Sequence, residues 1–135
     1  MSKKLRLLSR IFSTVLGLLF VVFGLNGFLH FMPLPPMEGD AAAFMGALAA
    51  TGYMFPLIKG TEVIGGALLL SGRGVPLGLL LLAPVIVNIL AFHLLMTPGE
   101  AAVSLVITAI AITLGWIHRS AWRGLLGGAT VERSQ

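Results

Sequence analysis

Four apolar stretches, each long enough to cross a bilayer, fix what this chain can fold into. They run over about 11–31, 53–70, 75–96 and 101–118, each near the roughly 17–25 residues an α-helix needs to traverse the hydrocarbon. An unpaired peptide group in lipid costs several kcal/mol, so each stretch must satisfy its N–H and C=O groups internally, as a helix. Composition agrees. Of 135 residues, 57% are apolar and 10% charged, where a soluble domain carries roughly a quarter charged.

The first stretch imitates a signal peptide, with "MSKKLRLLSR" ahead of "IFSTVLGLLFVVFGL". Its apolar part exceeds the roughly 7–15 residues of a signal core and no small-residue cleavage site follows, so it reads as an uncleaved span. The basic residues set the direction. Lys3, Lys4, Arg6 and Arg10 precede span one, Arg73 lies between spans two and three, and Arg119, Arg123 and Arg133 follow span four. The opposite loops, 32–52 and 97–100, carry none. The positive-inside rule therefore places both termini in the cytoplasm. The same placement argues against nucleic acid as a partner despite a net charge of +4, because the cations flank apolar runs instead of lining a face. The lipid bilayer is the partner these features imply.

The chain has no cysteine, which removes thiol redox catalysis, disulfides, iron–sulfur clusters and Cys-zinc sites; no metal site is expected. Short connections predict antiparallel neighbours. Small residues offer close helix contacts: Gly17, Gly24 and Gly27 in span one, Gly60, Gly65 and Gly66 in span two, Ala109 and Ala111 in span four. No internal repeat points to an inverted-repeat transporter. In the first outer loop, "MPLPPMEGDAAAFMGALAATG", the prolines stop span one. Asp40 then suits an N-cap and Gly52 a helix stop, enclosing a short helix over about 41–51 with Phe44, Met45 and Leu48 on one face. Such a helix lies at the outer interface or over the bundle mouth, or is merely a connector. The expected fold is all-α: a transmembrane four-helix bundle, both termini cytoplasmic, with one extra helix in the outer loop and a cytoplasmic tail over 119–135, flexible from 124 on, all in a single domain.

The polar residues inside the spans cluster by depth. At about 1.5 Å per residue, Asn26 lies about 7 Å below the outer end of span one, with His30 at the rim. Lys59 and Glu62 lie about 9 and 13 Å deep in span two, and Asn88 and His93 about 12 and 5 Å deep in span three. All six occupy the outer half of the bilayer; the inner half is Leu, Val and Gly. Asn26 and His30 share a face, and Lys59 can pair with Glu62 three residues on. Asn88 and His93 are about 140° apart around an ideal helix. Pro84, one turn before Asn88, is able to kink span three, so one of the two can face the bundle and the other the interface. A charge at mid-bilayer costs about 2.5–3.5 kcal/mol on insertion scales, so a paired Lys59–Glu62 is expected to face the bundle interior.

Two readings of this cluster stand side by side. It is a polar clasp that fixes helix register, in a non-catalytic scaffold. Or it is an outward-open pocket for a quinone-like molecule, with Asn26, His30, Lys59, Asn88 and His93 as donors and Phe23, Phe28, Phe31, Tyr53, Phe55 and Phe92 as walls. Glu62 would then exchange a proton. His30 and His93 lie at similar depth on two helices, but no motif supports a bis-His haem and haem is not expected. The featureless inner half suits a binding site better than a channel.

Three segments carry a family resemblance: "FVVFGLNGFLHFMPLPP", "FMGALAATGYMFPLIKGTEVIGGALLL" and "LLAPVIVNILAFHLL". The combination Asn26-x-x-x-His30, Gly52-Tyr53-x-x-Pro56-Leu57-x-Lys59-x-x-Glu62 and Pro84-Val85-x-x-Asn88 resembles the DoxX family of small bacterial membrane proteins over about residues 20–96. The resemblance implies a four-helix protein of the bacterial inner membrane. It also implies association with quinone-linked oxidoreductases, as an accessory or small subunit beside other subunits of a membrane redox complex. At most, then, the chain is a quinone-linked oxidoreductase subunit. Asn26, His30, Lys59, Glu62, Asn88 and His93 carry over as matching motif positions without assigned chemistry.

Overall fold

The computed structural model describes residues 1–127. Six α-helices follow in order: α1 Lys3–Leu29, α2 Gly39–Ala50, α3 Met54–Ser71, α4 Val75–Leu95, α5 Ala101–Ile117 and α6 Arg119–Leu126. Among the described residues there is no strand. Four helical segments, Lys3–Leu29, Met54–Ser71, Val75–Leu95 and Pro98–Ile117, are long and apolar enough to cross a membrane; the last includes a short 3-10 turn at Pro98–Glu100. The chain is an all-α integral membrane protein.

The four spans close into a ring in which α1 packs on α3, α3 on α4, α4 on α5, and α5 back on α1. Its centre is filled by Leu16, Phe20, Leu69, Leu82 and Leu114, all fully buried. Outward-facing positions are just as apolar: Leu18, Val22, Ile64, Leu77, Val87, Val103, Val106 and Ile112 are exposed. In water such a belt would be a large aggregation-prone patch; in a bilayer it is the lipid contact surface.

The α1–α3 seam is the tightest. A Cβ on Gly17 would stand 2.8 Å from the Gly66 carbonyl oxygen, and one on Gly66 equally close to that of Gly17. The two backbones therefore touch, as small-residue seams in lipid require. Gly24 lies against Val63 and the Lys59 carbonyl, and Gly27 against the Lys59 methylenes. Gly65 accommodates the Leu82 side chain of α4. Gly60, expected at the same kind of contact, faces open space.

Helix boundaries differ from the hydropathy reading in three places. α1 begins at Lys3, because Ser2 caps it by accepting the Leu5 N–H at 3.2 Å and the basic turn continues the helix below the span. α2 begins at Gly39 with Glu38 as its cap, so Asp40 sits inside the first turn, where its charge suits the helix dipole, and is not the N-cap. The cytoplasmic tail starts as helix α6, which runs to Leu126, so the stretch expected to be flexible begins as helix; residues 128–135 lie outside the described residues. The α2 stop does fall at Gly52, which takes φ +75°, and Phe44 of α2 packs on Phe92 of α4 with ring centroids 5.7 Å apart. α4 runs as one helix through Pro84.

Candidate functional site

The outer end of the α1–α3 seam opens into a pocket of about 510 Å³. That volume is within the usual range for small-molecule sites. Phe23, Asn26, Gly27 and His30 line it from α1 and its cap, Phe55 and Lys59 from α3, and Met32, Pro33 and Leu34 from the loop that follows α1.

Glycine makes room for the charges. Because Gly27 has no side chain, the Lys59 stem lies across α1 there, and its ammonium reaches Glu62 Oε2 at 3.1 Å. Glu62 is 5% exposed and sits beneath the pocket against Gly24, while Lys59 remains partly open to the cavity. The pair is thus a buried anion holding a half-buried cation in the pocket wall. The ammonium keeps two further donors for a ligand, since Lys carries three.

Asn26 has a different job from the one its residue type suggests. It is 4% exposed, its Oδ1 accepts the Met32 N–H at 2.7 Å, and its Nδ2 donates to the Met32 carbonyl at 3.2 Å. Both ends of the amide are therefore spent on one backbone unit. His30 ends the helix just before, in the left-handed region at φ 52°, with its N–H bonded to the Asn26 carbonyl at 2.9 Å. Histidine is among the residues that tolerate this conformation. Together Asn26 and His30 turn the chain back so that "MPL" roofs the pocket. The sequence signal for this was the Asn-x-x-x-His spacing followed by "PLPP", which marks a helix end but not the hydrogen-bond partner.

Of the seven residues expected at the site, Asn26, His30 and Lys59 line the pocket, and Glu62 supports it from behind. Tyr53 caps the start of α3, is 62% exposed and does not line the cavity. Asn88 lies exposed on the outer face of α4, whereas His93 is half-buried and its Nδ1–H is directed at the Ile89 carbonyl at 2.7 Å. The two therefore do face different surroundings, but neither enters the pocket. Among the expected aromatic walls, only Phe23 and Phe55 line it. Span four adds no donor, because Ser104 and Thr108 bond carbonyls of their own helix. No group of three or more His, Asp or Glu among the described residues could hold a metal ion.

Fold and site together define a small multi-span membrane bundle with one outward-facing, cation-bearing apolar pocket. Compared with protein-family models, curated proteins and solved structures, the chain finds no match.

Proposed function

We propose that the pocket binds a quinone-like molecule from the outer half of the bacterial cytoplasmic membrane, and that the protein serves there as a DoxX-like accessory or small subunit of a redox system. The observation that carries this reading is the partly exposed Lys59 in the wall of a cavity of about 510 Å³ that Phe23, Phe55 and His30 also line. Phe23 and Phe55 suit a flat ring, and Lys59 and His30 suit its carbonyl oxygens. Glu62 supplies the countercharge, and with His30 it gives the pocket groups able to exchange protons with a reduced head group.

A second reading has its own observation. The Lys59–Glu62 pair bridges the outer end of the glycine seam, as a clasp that fixes register would. One variant separates the two. Removing one member of a buried pair costs about 3–5 kcal/mol, whereas replacing both by apolar side chains of similar volume is often neutral. Lys59→Met with Glu62→Leu is therefore expected to fold like the wild type and to bind a short-chain ubiquinone at least about tenfold more weakly, for the loss of one charge-assisted hydrogen bond. Equilibrium dialysis and an organic extract of the purified protein read this directly. No binding by folded wild type hands the site to the clasp, and saturable binding unchanged in the double variant removes Lys59 as the ligand's donor.

A further inference from the structure

A second concavity lies on the opposite half of the bundle. It is an apolar groove of about 380 Å³ between α4 and α5, lined by Leu80, Ala83 and Val87 on one side and Ala111 and Gly115 on the other, and closed by Trp122 of α6. The helix breaks at His118 before α6, and the Trp122 indole N–H donates to the Gly115 carbonyl at 2.8 Å, which fixes the end wall. A Cβ at Gly115 would meet nothing within 4 Å, so the missing side chain is what leaves the groove open. From Leu79 to Val87 the groove spans about 12 Å along the helices, close to the roughly 15 Å of one leaflet's hydrocarbon.

The mouth is cationic. Arg119 and Arg123 lie one turn apart on α6, on either side of Trp122 in sequence, and both are exposed. The Arg119 guanidinium is held over the Trp116 ring at 5.2 Å and donates to the Trp116 carbonyl at 3.2 Å. The Ser9–His118 hydrogen bond, at 2.9 Å, ties the basic first turns of α1, with exposed Arg6 and Arg10, to the residue before α6. Every Asp and Glu among the described residues lies in the outer half or the outer loops. An acyl-sized slot close to one leaflet deep, under a cluster of cations with no carboxylate beside it among the described residues, is complementary to a lipid with a negative head group.

We propose that this groove is a specific site for an anionic phospholipid of the inner leaflet, one acyl chain lying between α4 and α5 and the phosphate on Arg119 and Arg123. The site is independent of the outer pocket and of what that pocket binds.

The test is native mass spectrometry of the full chain in maltoside micelles, titrated with dioleoyl phosphatidylglycerol or dioleoyl phosphatidylcholine. The expected result is one phosphatidylglycerol retained with about 25-fold preference, roughly fivefold for each arginine at a membrane surface. Arg119→Gln with Arg123→Gln should abolish the preference while leaving weak uptake of either lipid. Gly115→Leu should plug the slot and remove retention of both, with an unchanged melting temperature; Ala83→Phe plugs it from the facing helix should the first variant not fold. Equal retention of the two lipids by wild type, or undiminished phosphatidylglycerol on the plugged variants, overturns the proposal. A dimer that Gly115→Leu dissociates also overturns it and assigns the groove to a second copy of this chain.

Discussion

Substituting Gly17 by alanine tests the fold where it is tightest. The new Cβ would stand 2.8 Å from the Gly66 oxygen, 2.9 Å from Leu70 Cγ and 3.1 Å from Leu69 Cβ. Carbon–oxygen contacts between helices ordinarily relax at about 3.3–3.6 Å, so α1 and α3 must part by roughly half an ångström. Neither neighbour can swing aside cheaply, because the closest atom is backbone and the reciprocal contact at Gly66 is equally tight. A gap of that size forfeits a quarter or more of the dispersion well along the seam, and overpacking of this kind costs about 1–3 kcal/mol. Gly60 is the internal control. It lies in α3, and its Cβ would meet nothing within 4 Å, so Gly60→Ala should fall within about 0.5 kcal/mol of wild type.

The assay is unfolding of the protein in maltoside by added SDS, followed by far-ultraviolet circular dichroism. Gly17→Ala should lose about 1–3 kcal/mol and shift its midpoint to lower SDS, with Gly60→Ala superimposing on wild type. Equal stability of the two variants would refute the close-packed seam. It would also remove the basis for placing Lys59 across Gly27, since the same seam sets that distance.

Two further outcomes follow from named contacts. Asn26→Ala removes both hydrogen bonds to Met32 and should cost about 2 kcal/mol, at about 1 kcal/mol each. Because the chain has no native cysteine, a single Met32→Cys reporter, at a half-buried position, should then react faster with maleimide, and unchanged labelling would contradict the roof. At the cytoplasmic end, burial pushes the His118 imidazole below its ordinary value of 6.5. Between the lowered and ordinary values the unfolded state binds more protons, so stability declines as pH falls through about 6.5 and stops declining below the folded value. The drop in unfolding midpoint between about pH 8 and pH 5 should therefore be smaller in His118→Gln than in wild type, and an equal drop would show that His118 is not a source of it.

The sequence carried depth far better than direction. Span positions and the outer-half level of Lys59, Glu62, Asn26 and His30 follow from hydropathy and a fixed rise per residue. Azimuth does not, because lipid is as apolar as the bundle interior and the two faces of α4 read alike. That is why Asn88, grouped with the cluster by depth, lies exposed outside the pocket, while only a packed neighbour distinguishes its side of the helix from that of Ile86. The α1 start was missed for a related reason. Hydropathy ends where the charges begin, but Lys, Arg and Leu are good helix formers and Ser2 caps them. The Asn26–Met32 pairing depends on a left-handed turn at His30, and single-residue backbone geometry of that kind leaves no periodic trace. Helix α6 was legible only in retrospect, as Arg119, Trp122 and Arg123 on an eight-residue turn too short for a periodicity argument.

The packing also limits what the outer pocket can do. Below Lys59 and Glu62, Leu16, Phe20, Leu69, Leu82 and Leu114 form a fully buried apolar layer, and buried Ser13 at its inner edge donates its hydroxyl to the Arg10 carbonyl. In α3 the pair is followed by Gly65, Gly66 and Leu69, and each glycine is occupied by a neighbouring helix rather than by space. Moving a charge through such a layer carries the insertion cost of a mid-bilayer ion, about 2.5–3.5 kcal/mol at the least, with no partner on the way. A ligand of this pocket, and any proton it exchanges, would therefore enter and leave by the outer side. For the proposed quinone, protons released when its quinol form is oxidised would go outward, through His30 at the rim, and the two electrons would have to leave through a partner docked on that same side. The inner groove, separated by the same dry layer, then anchors the bundle in its leaflet without exchanging anything with the site above.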